Sequence, residues 1–431
     1  MMTKDGQYAV PGKAPAVASL LRGWHAWAAS AWGWATLWFV ASRIWLVGAT
    51  LLGARIVMPA VLSQPERSPL WQTWRRWDAD IYAQIAAHGY LPAEVHRTPA
   101  FFPLFPLAER AIAPLCGGDT YLAGMLIANA AWWVALVELY RLTEADFGRQ
   151  AARGAVMALS VFPTALFGFV AYPEALFLAL ACAALRQMRR HHWLRAAALG
   201  MLAALTRQAG ILLVLPFLWE GIGAAKSRQP SDASHAATLR PGSRLFQLAR
   251  HWRPWQWLRA LGAPGWPIWL AGLIPLGTVS YALWLWHAVG DPLAFWHAQA
   301  TWHRTTAWPW QTLWLGWRAI SQQPSRYFTL RAVQEWLTVV GVGMLVGLTL
   351  RQAPRSYAAF AVPLYLLFLM QIDPVWPLLS QGRFMLEVLP VFAVLGAAAA
   401  RHRWLRVALV AVGVPMQMGL IIVFAHGGWV I

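Results

Sequence analysis

Residues 74–106 read WRRWDADIYAQIAAHGYLPAEVHRTPAFFPLFP, and how this stretch is read decides the rest of the chain. Two carboxylates, Asp78 and Asp80, stand beside Trp77 and Tyr82, followed by His88, Gly89 and Tyr90. The segment is too charged to cross a bilayer, and the run Phe101 to Pro106 places Pro103 and Pro106 where a regular spanning helix would need backbone donors. Long apolar runs lie on both sides. A polar, aromatic, acid-bearing loop between membrane spans is expected to be the catalytic loop of a membrane enzyme.

Composition supports the membrane part of that expectation. Of 431 residues, 59% are hydrophobic and 12% charged, too little polar surface for a water-soluble globule of this size. The formal net charge is +18, carried by 32 Arg and only 3 Lys. Most of these arginines fall in short loops between apolar runs, so they read as topology signals and not as a nucleic-acid face. Cys116 and Cys182 fall in a loop and in a span, poorly placed for a disulfide or a metal site. The 30 Trp mostly mark membrane interfaces.

Apolar windows long enough to span fall near 34–57, 122–140, 154–171, 173–188, 266–289, 327–349, 356–373, 384–400 and 405–425. Residues 193–220 are either one long helix or two short limbs meeting at Thr206-Arg207-Gln208-Ala209-Gly210. A hairpin there puts 22 Lys or Arg on one side and 8 on the other, whereas a single span gives 13 against 17. The positive-inside rule prefers the hairpin, with Arg207 at its apex. The expected fold is therefore all-α, a polytopic bundle of about ten or eleven membrane helices. Residues 1–33 form a cytoplasmic segment leading into a retained anchor, and 34–425 form the membrane domain. Within it, 59–121 is the first extracytoplasmic loop, 290–326 the second, and 221–265 a basic cytoplasmic linker with an interfacial helix.

An enzyme at the outer face has no nucleoside triphosphate to hand, so its donor must arrive activated. A polyprenyl phosphate sugar fits: its leaving phosphate needs a cation, and the attacking hydroxyl needs a carboxylate base. Asp78 and Asp80 are the candidate bases. On a helix they differ by about 200°, so they would not address one point. A helix starting near residue 79 would give Asp78 a capping role instead, and chemistry alone leaves both roles open. Tyr82 follows one turn after Asp78. Arg43, Glu174, Arg207 and Arg383 are ionisable residues in or at the spans, each a site candidate by its cost. Arg207 would hold the donor phosphate or pair with Glu174, and Arg383 would do the same or pair with Glu387 four residues on. Arg331 and Glu335 repeat that spacing and read as an ordinary ion pair. In the second outer loop Gln299, Trp302 and Arg304 interleave hydrogen-bonding groups with an aromatic face, which suits a saccharide or a lipid headgroup, or an interfacial helix.

These residues also carry a family resemblance. WDADIYAQIAAHGY with FFPLFP, then YPEALF at 172–177, LTRQAG at 205–210, DPLAFWHAQATWHR at 291–304 and GRF at 382–384 resemble, in order, blocks of the PIG-V-like family, the GPI mannosyltransferase II enzymes and their bacterial relatives. The resemblance implies a GT-C fold with a catalytic aspartate in the first outer loop. It also implies inverting transfer of mannose from a polyprenyl phosphate donor. The family's WD aspartate carries over onto Asp78, with Asp80 in support. Where Pro173 stands, the family usually has Ser.

The expectation is an integral-membrane glycosyltransferase of the cell membrane, needing no metal or cofactor. Its partners would be a polyprenyl phosphate sugar, a lipid or glycan acceptor and membrane lipids. The alternatives are a flippase of lipid-linked sugars, which calls for inverted repeats and midplane acids not evident here, and a GT-C enzyme of another branch moving another sugar.

Overall fold

The first long helix, α1 (Ala31–Gly53), starts where the Ser30 hydroxyl accepts from Gly33 N at 3.1 Å, satisfying one orphan donor of its first turn. It is the first element of a computed structural model that describes residues 27–28, 30–55, 70–91, 94–228 and 268–430. The expected N-terminal segment therefore lies almost wholly outside the described residues. So do 59–69 and 92–93 of the first loop and 229–265 of the linker.

The first loop folds into short helices, α2 (Asp78–His88) and α3 (Leu104–Ile112). Then α4 (Thr120–Phe147) begins at a second side-chain cap, Asp119 accepting from Leu122 N at 3.0 Å. Its 28 residues extend about 42 Å, enough to cross the hydrocarbon with tilt. Gly148, at φ 82°, stops α4 and turns the chain into α5 (Arg149–Ser160). Next comes α6 (Glu174–Arg189).

The window 154–171 is not one span. Helix α5 stops at Ser160, and residues between it and α6 run in turns past Pro163 and Pro173. Gly168 in this crossing lies so close to Trp132 that a Cβ would collide with the indole.

Residues 193–220 form two limbs. Helix α7 (Trp193–Thr206) ends at Arg207, which is extended at φ −151°, ψ 145°, and a 3-10 turn over Gln208–Leu213 leads into α8 (Val214–Arg228). The sharp return requires Gly210, because any Cβ there would run into the Ala203–Ala204 backbone. Both outer ends of the limbs meet the same end of α6. Arg189 of α6 bridges Asp146 at 2.5 Å and Glu220 at 3.1 Å, and Trp193 packs edge-on against Phe217 at 5.4 Å. The run is the hairpin that loop charge favoured, with Arg207 at its apex. Helix α8 continues through Arg228, so the expected linker starts as helix.

After the undescribed stretch come α9 (Leu273–Val289), closed by left-handed Gly290, and the one-turn α10 (Ala294–His297). Strand β1 (Thr305–Thr306), α11 (Pro309–Ile320), α12 (Arg326–Gln352) and α13 (Arg355–Leu369) follow. Strand β2 (Gln371–Ile372) pairs antiparallel with β1, Thr305 opposite Ile372. This two-rung ladder is the sole departure from an all-helical fold among the described residues. The chain ends in α14 (Gln381–Met385), α15 (Pro390–Arg401) and α16 (Arg403–Ala425). The windows 356–373 and 384–400 are thus shorter than expected, ending at Leu369 and starting at Pro390.

Six helices among the described residues are long and apolar enough to cross a membrane, and the chain is an all-helical polytopic membrane protein. Helices in lipid associate through close packing of small residues. Here Gly396 of α15 sits against Ala151 and Ala155 of α5, with no room for a Cβ on either Gly396 or Gly154.

Candidate active site

A cavity of about 520 Å³ lies at the end of the bundle where the hairpin apex sits. The backbone is strained around it. Of the four described non-glycine residues with positive φ, three flank its charged residues: Trp77 at 54° precedes Asp78, His303 at 53° precedes Arg304, and Ser380 at 66° leads into the helix that carries Arg383. Each such residue costs on the order of 1–3 kcal/mol and persists only where its surroundings hold it. Trp77 is held edge-on by Trp429 at 4.3 Å.

The turn at Trp77 makes Asp78 the first residue of α2, and its side chain makes no capping bond. Its Oδ2 instead accepts from Arg383 Nη1 at 2.6 Å, and its Oδ1 has no hydrogen bond among the described residues. Asp80, on another face of the same turn, pairs with Arg75 Nε at 2.6 Å and accepts from Gln84 at 2.9 Å. The two carboxylates line one cavity but are engaged by different partners, as their angular separation on a helix requires. Tyr82 lines the cavity beneath Asp78, its ring edge-on to Phe101 and Phe105 at 5.0 and 5.3 Å. Burial pushes its phenol well above the usual value, so it is a neutral hydrogen-bond donor.

Behind this wall the charges alternate. Glu174, fully buried, accepts from Arg207 Nη1 at 2.6 Å and stands 3.4 Å from Arg383 Nε. Glu387, also fully buried, stands 2.9 Å from Arg207 Nη2. The expected pair of Arg383 with Glu387 does not form: Arg383 turns to Asp78 and Glu174, and Glu387 to Arg207. Arg331 and Glu335 do pair, at 3.1 Å, but Glu335 has a second task that its spacing did not show. Its Oε2 accepts from Gly382 N, while Thr164 Oγ1 donates to Gly382 O at 2.8 Å. Gly382 is thereby gripped from both sides, which aims the next residue, Arg383.

Arg304 enters from the second loop, beside β1. Its Nη1 donates to Gln371 Oε1 at 3.1 Å, its guanidinium lies 4.7 Å over the Phe384 ring, and no carboxylate among the described residues is within 4 Å. Burial, and then the neighbouring Arg383, lower it to about 10, so it stays charged at neutral pH as a cation lacking an ion-pair partner. Gln299 and Trp302 line the same cavity.

Eight sequence candidates thus share the cavity wall, Asp78, Asp80, Tyr82, Arg207, Gln299, Trp302, Arg304 and Arg383, with Glu174 directly behind it. Arg43 does not join them. It donates to Asn129 at 2.8 Å, Ser42 at 2.9 Å and the Gly168 carbonyl at 2.6 Å, tying α1 to the α5–α6 crossing away from the cavity. Sequence reasoning missed Trp429, near the end of the chain, and Phe384 as wall residues. The GRF triplet could have pointed to Phe384; nothing local points to Trp429. No group of three or more His, Cys, Asp or Glu that could hold a metal is present among the described residues.

A second cavity of about 480 Å³ adjoins the first across Trp302, Leu379 and Trp429, with walls that include Ala319, Phe328, Trp376 and Leu378. The chain is therefore a polytopic helical membrane protein whose site sets two carboxylates, Asp78 and Asp80, among arginines, beside an apolar chamber. No family model matches it. It is 32% identical to GPI alpha-1,6-mannosyltransferase 2 of Mus musculus over 148 residues, 32% of this chain and 29% of that protein. It is 33% identical to the same enzyme of Cricetulus griseus over 150 residues, 32% of this chain and 30% of that one. The match thus spans less than a third of these relatives' length. Among solved structures, ArnT from Cupriavidus metallidurans bound to undecaprenyl phosphate aligns at TM-score 0.47 and 14% identity, over 85% of this chain and 60% of that one. AglB from Archaeoglobus fulgidus in complex with an inhibitory peptide and a dolichol-phosphate aligns at TM-score 0.40 and 12% identity, over 92% and 56%.

Proposed function

We propose that the protein is a membrane glycosyltransferase that moves a hexose, mannose by its similarity to the two mannosyltransferases, from a polyprenyl phosphate to an acceptor hydroxyl at the extracytoplasmic face. The observation that carries this is the convergence of Asp78 with Arg207, Arg304 and Arg383 on one cavity wall. The acceptor hydroxyl attacks C1 of the sugar from the face opposite the phosphate. Its proton passes to the Asp78 carboxylate as the new C–O bond forms. The bond from C1 to the phosphate oxygen breaks and its electron pair leaves on the phosphate, so the configuration at C1 inverts.

Arginine charge meets the departing phosphate, and no metal is needed for that step. Both terminal nitrogens of Arg207 face carboxylates, and Arg383 is turned toward Asp78. Arg304, whose side-chain hydrogen-bond partner among the described residues is the neutral Gln371, is a cation available to take the phosphate, while Arg383 orients the base. The apolar cavity beyond Trp302 receives the isoprenoid chain. The test is transfer from labelled polyprenyl phosphate mannose in membranes carrying wild-type protein or Asp78→Asn. Transfer is expected only with wild type, and equal transfer by both would remove Asp78 from the role.

A further inference from the structure

The second loop separates two kinds of surface. Trp302 faces the apolar chamber and the catalytic cavity, whereas Gln299 and Arg304 face the catalytic cavity and a third one. That third cavity, about 300 Å³, is lined by Trp296, His297, Gln299, Arg304, Thr306 and Gln371, among others. Its chemistry is unlike the apolar chamber's. It offers one aromatic face, amides that both donate and accept, hydroxyls, an imidazole and a guanidinium.

Two features fix this lining. The β1–β2 ladder holds Thr305–Thr306 against Gln371–Ile372, so Arg304, Thr306 and Gln371 come together at one corner. Opposite them, His297 Nδ1 and Asp291 Oδ2 are 2.7 Å apart, and Asp291 Oδ1 accepts from Leu293 N at 2.9 Å. This closes the turn that carries Trp296, which is 45% exposed. An exposed indole bordered by hydrogen-bonding groups, open to the reaction cavity through shared Gln299, Arg304 and Gln371, matches a sugar ring. Sugars stack an apolar face on an aromatic ring and hydrogen-bond through their rim hydroxyls.

We infer that this groove is an acceptor subsite for saccharide, holding a sugar unit next to the one whose hydroxyl reaches Asp78. This rests on the transferase reading and adds the acceptor's class: a glycan of at least two sugar residues. A lipid alcohol or a lone monosaccharide would leave the groove empty.

The test uses full-length protein in nanodiscs with polyprenyl phosphate mannose as donor. Acceptors are methyl mono-, di- and trisaccharides of mannose, glucose and glucosamine, and direct binding of the same saccharides to Asp78→Asn protein is followed by saturation-transfer NMR. For at least one sugar series, KM is expected to fall roughly five- to tenfold from mono- to disaccharide, the scale of one aromatic stacking contact. Trp296→Ala is expected to abolish that preference and the NMR signal. Trp310→Ala, on the exposed face of α11, is expected to keep both. Equal KM for mono- and disaccharides, or equal loss in the Trp310 variant, would overturn the subsite. Saccharide binding that depends on Trp296 without any transfer would sustain the groove and overturn the transferase reading instead. No saccharide binding to Asp78→Asn protein would overturn the groove whatever the transfer activity.

Discussion

Arg383 Nη1 stands 2.6 Å from Asp78 Oδ2, joining residues 305 positions apart in the chain. The contact ties the first turn of α2 to the short helix α14, and it leaves one oxygen of the carboxylate toward the cavity. Its geometry depends on Gly382, held by Glu335 and Thr164. A carboxylate set this way keeps one orientation without a capping bond of its own.

Arg207→Gln leaves Glu174 and Glu387, both fully buried, without their shared cation. Removing one partner from a buried ion network costs about 3–5 kcal/mol. Denaturant or thermal unfolding in detergent should show a loss of that size, and Arg207→Gln with Glu387→Gln should recover part of it.

Arg304→Gln orphans no carboxylate, because among the described residues none pairs with it. Stability should change by less than about 1 kcal/mol. The donor KM should rise about ten- to a hundredfold, the worth of one charge-assisted phosphate contact. Steady-state kinetics with varied donor reads this, and an unchanged donor KM would move the phosphate to another arginine.

Gly396→Ala would drive a methyl group into the Ala151 carbonyl across the α5–α15 contact. Overpacking of that kind costs about 1–3 kcal/mol. The melting temperature should drop, whereas Gly223→Ala, with open space around the site, should not lower it.

Glu109 of α3 is fully buried, and neither carboxylate oxygen has a hydrogen-bond partner among the described residues. Burial raises its pKa well above the ordinary value, with Arg75 opposing. The folded state therefore holds a proton that the unfolded chain loses near pH 4.5, so this group's contribution to stability falls as pH rises from there toward the folded pKa. Glu109→Gln should stabilise the protein increasingly between pH 5 and 8, read as the difference in melting temperature at each pH.

The candidate site was legible residue by residue, but its wiring was not. Charges stranded in apolar surroundings single out Arg207 and Arg383, the acid-bearing loop and its family resemblance point to Asp78, and loop charge favours the hairpin at Arg207. The expected Arg383–Glu387 pair assumed one helix. Leu386–Leu389 lie between two, since α14 ends at Met385 and Pro390 opens α15, so the four-residue spacing loses its meaning. Arg43 obeys the same cost rule as Arg383 yet is satisfied by Asn129, Ser42 and a carbonyl, partners that sequence distance conceals. The window 154–171 failed because apolar character says nothing of the break after Ser160, where the chain runs past Pro163.

The central claim is that the Asp78 carboxylate removes the acceptor's proton, and one measurement bears on it directly. Transfer from polyprenyl phosphate mannose is compared between wild type and Asp78→Asn, with donor binding and melting temperature measured on the same preparations. The expected result is a fall in kcat of about a hundredfold to ten-thousandfold with donor binding retained. Transfer within about threefold of wild type, a difference of less than 1 kcal/mol in the barrier, would contradict it.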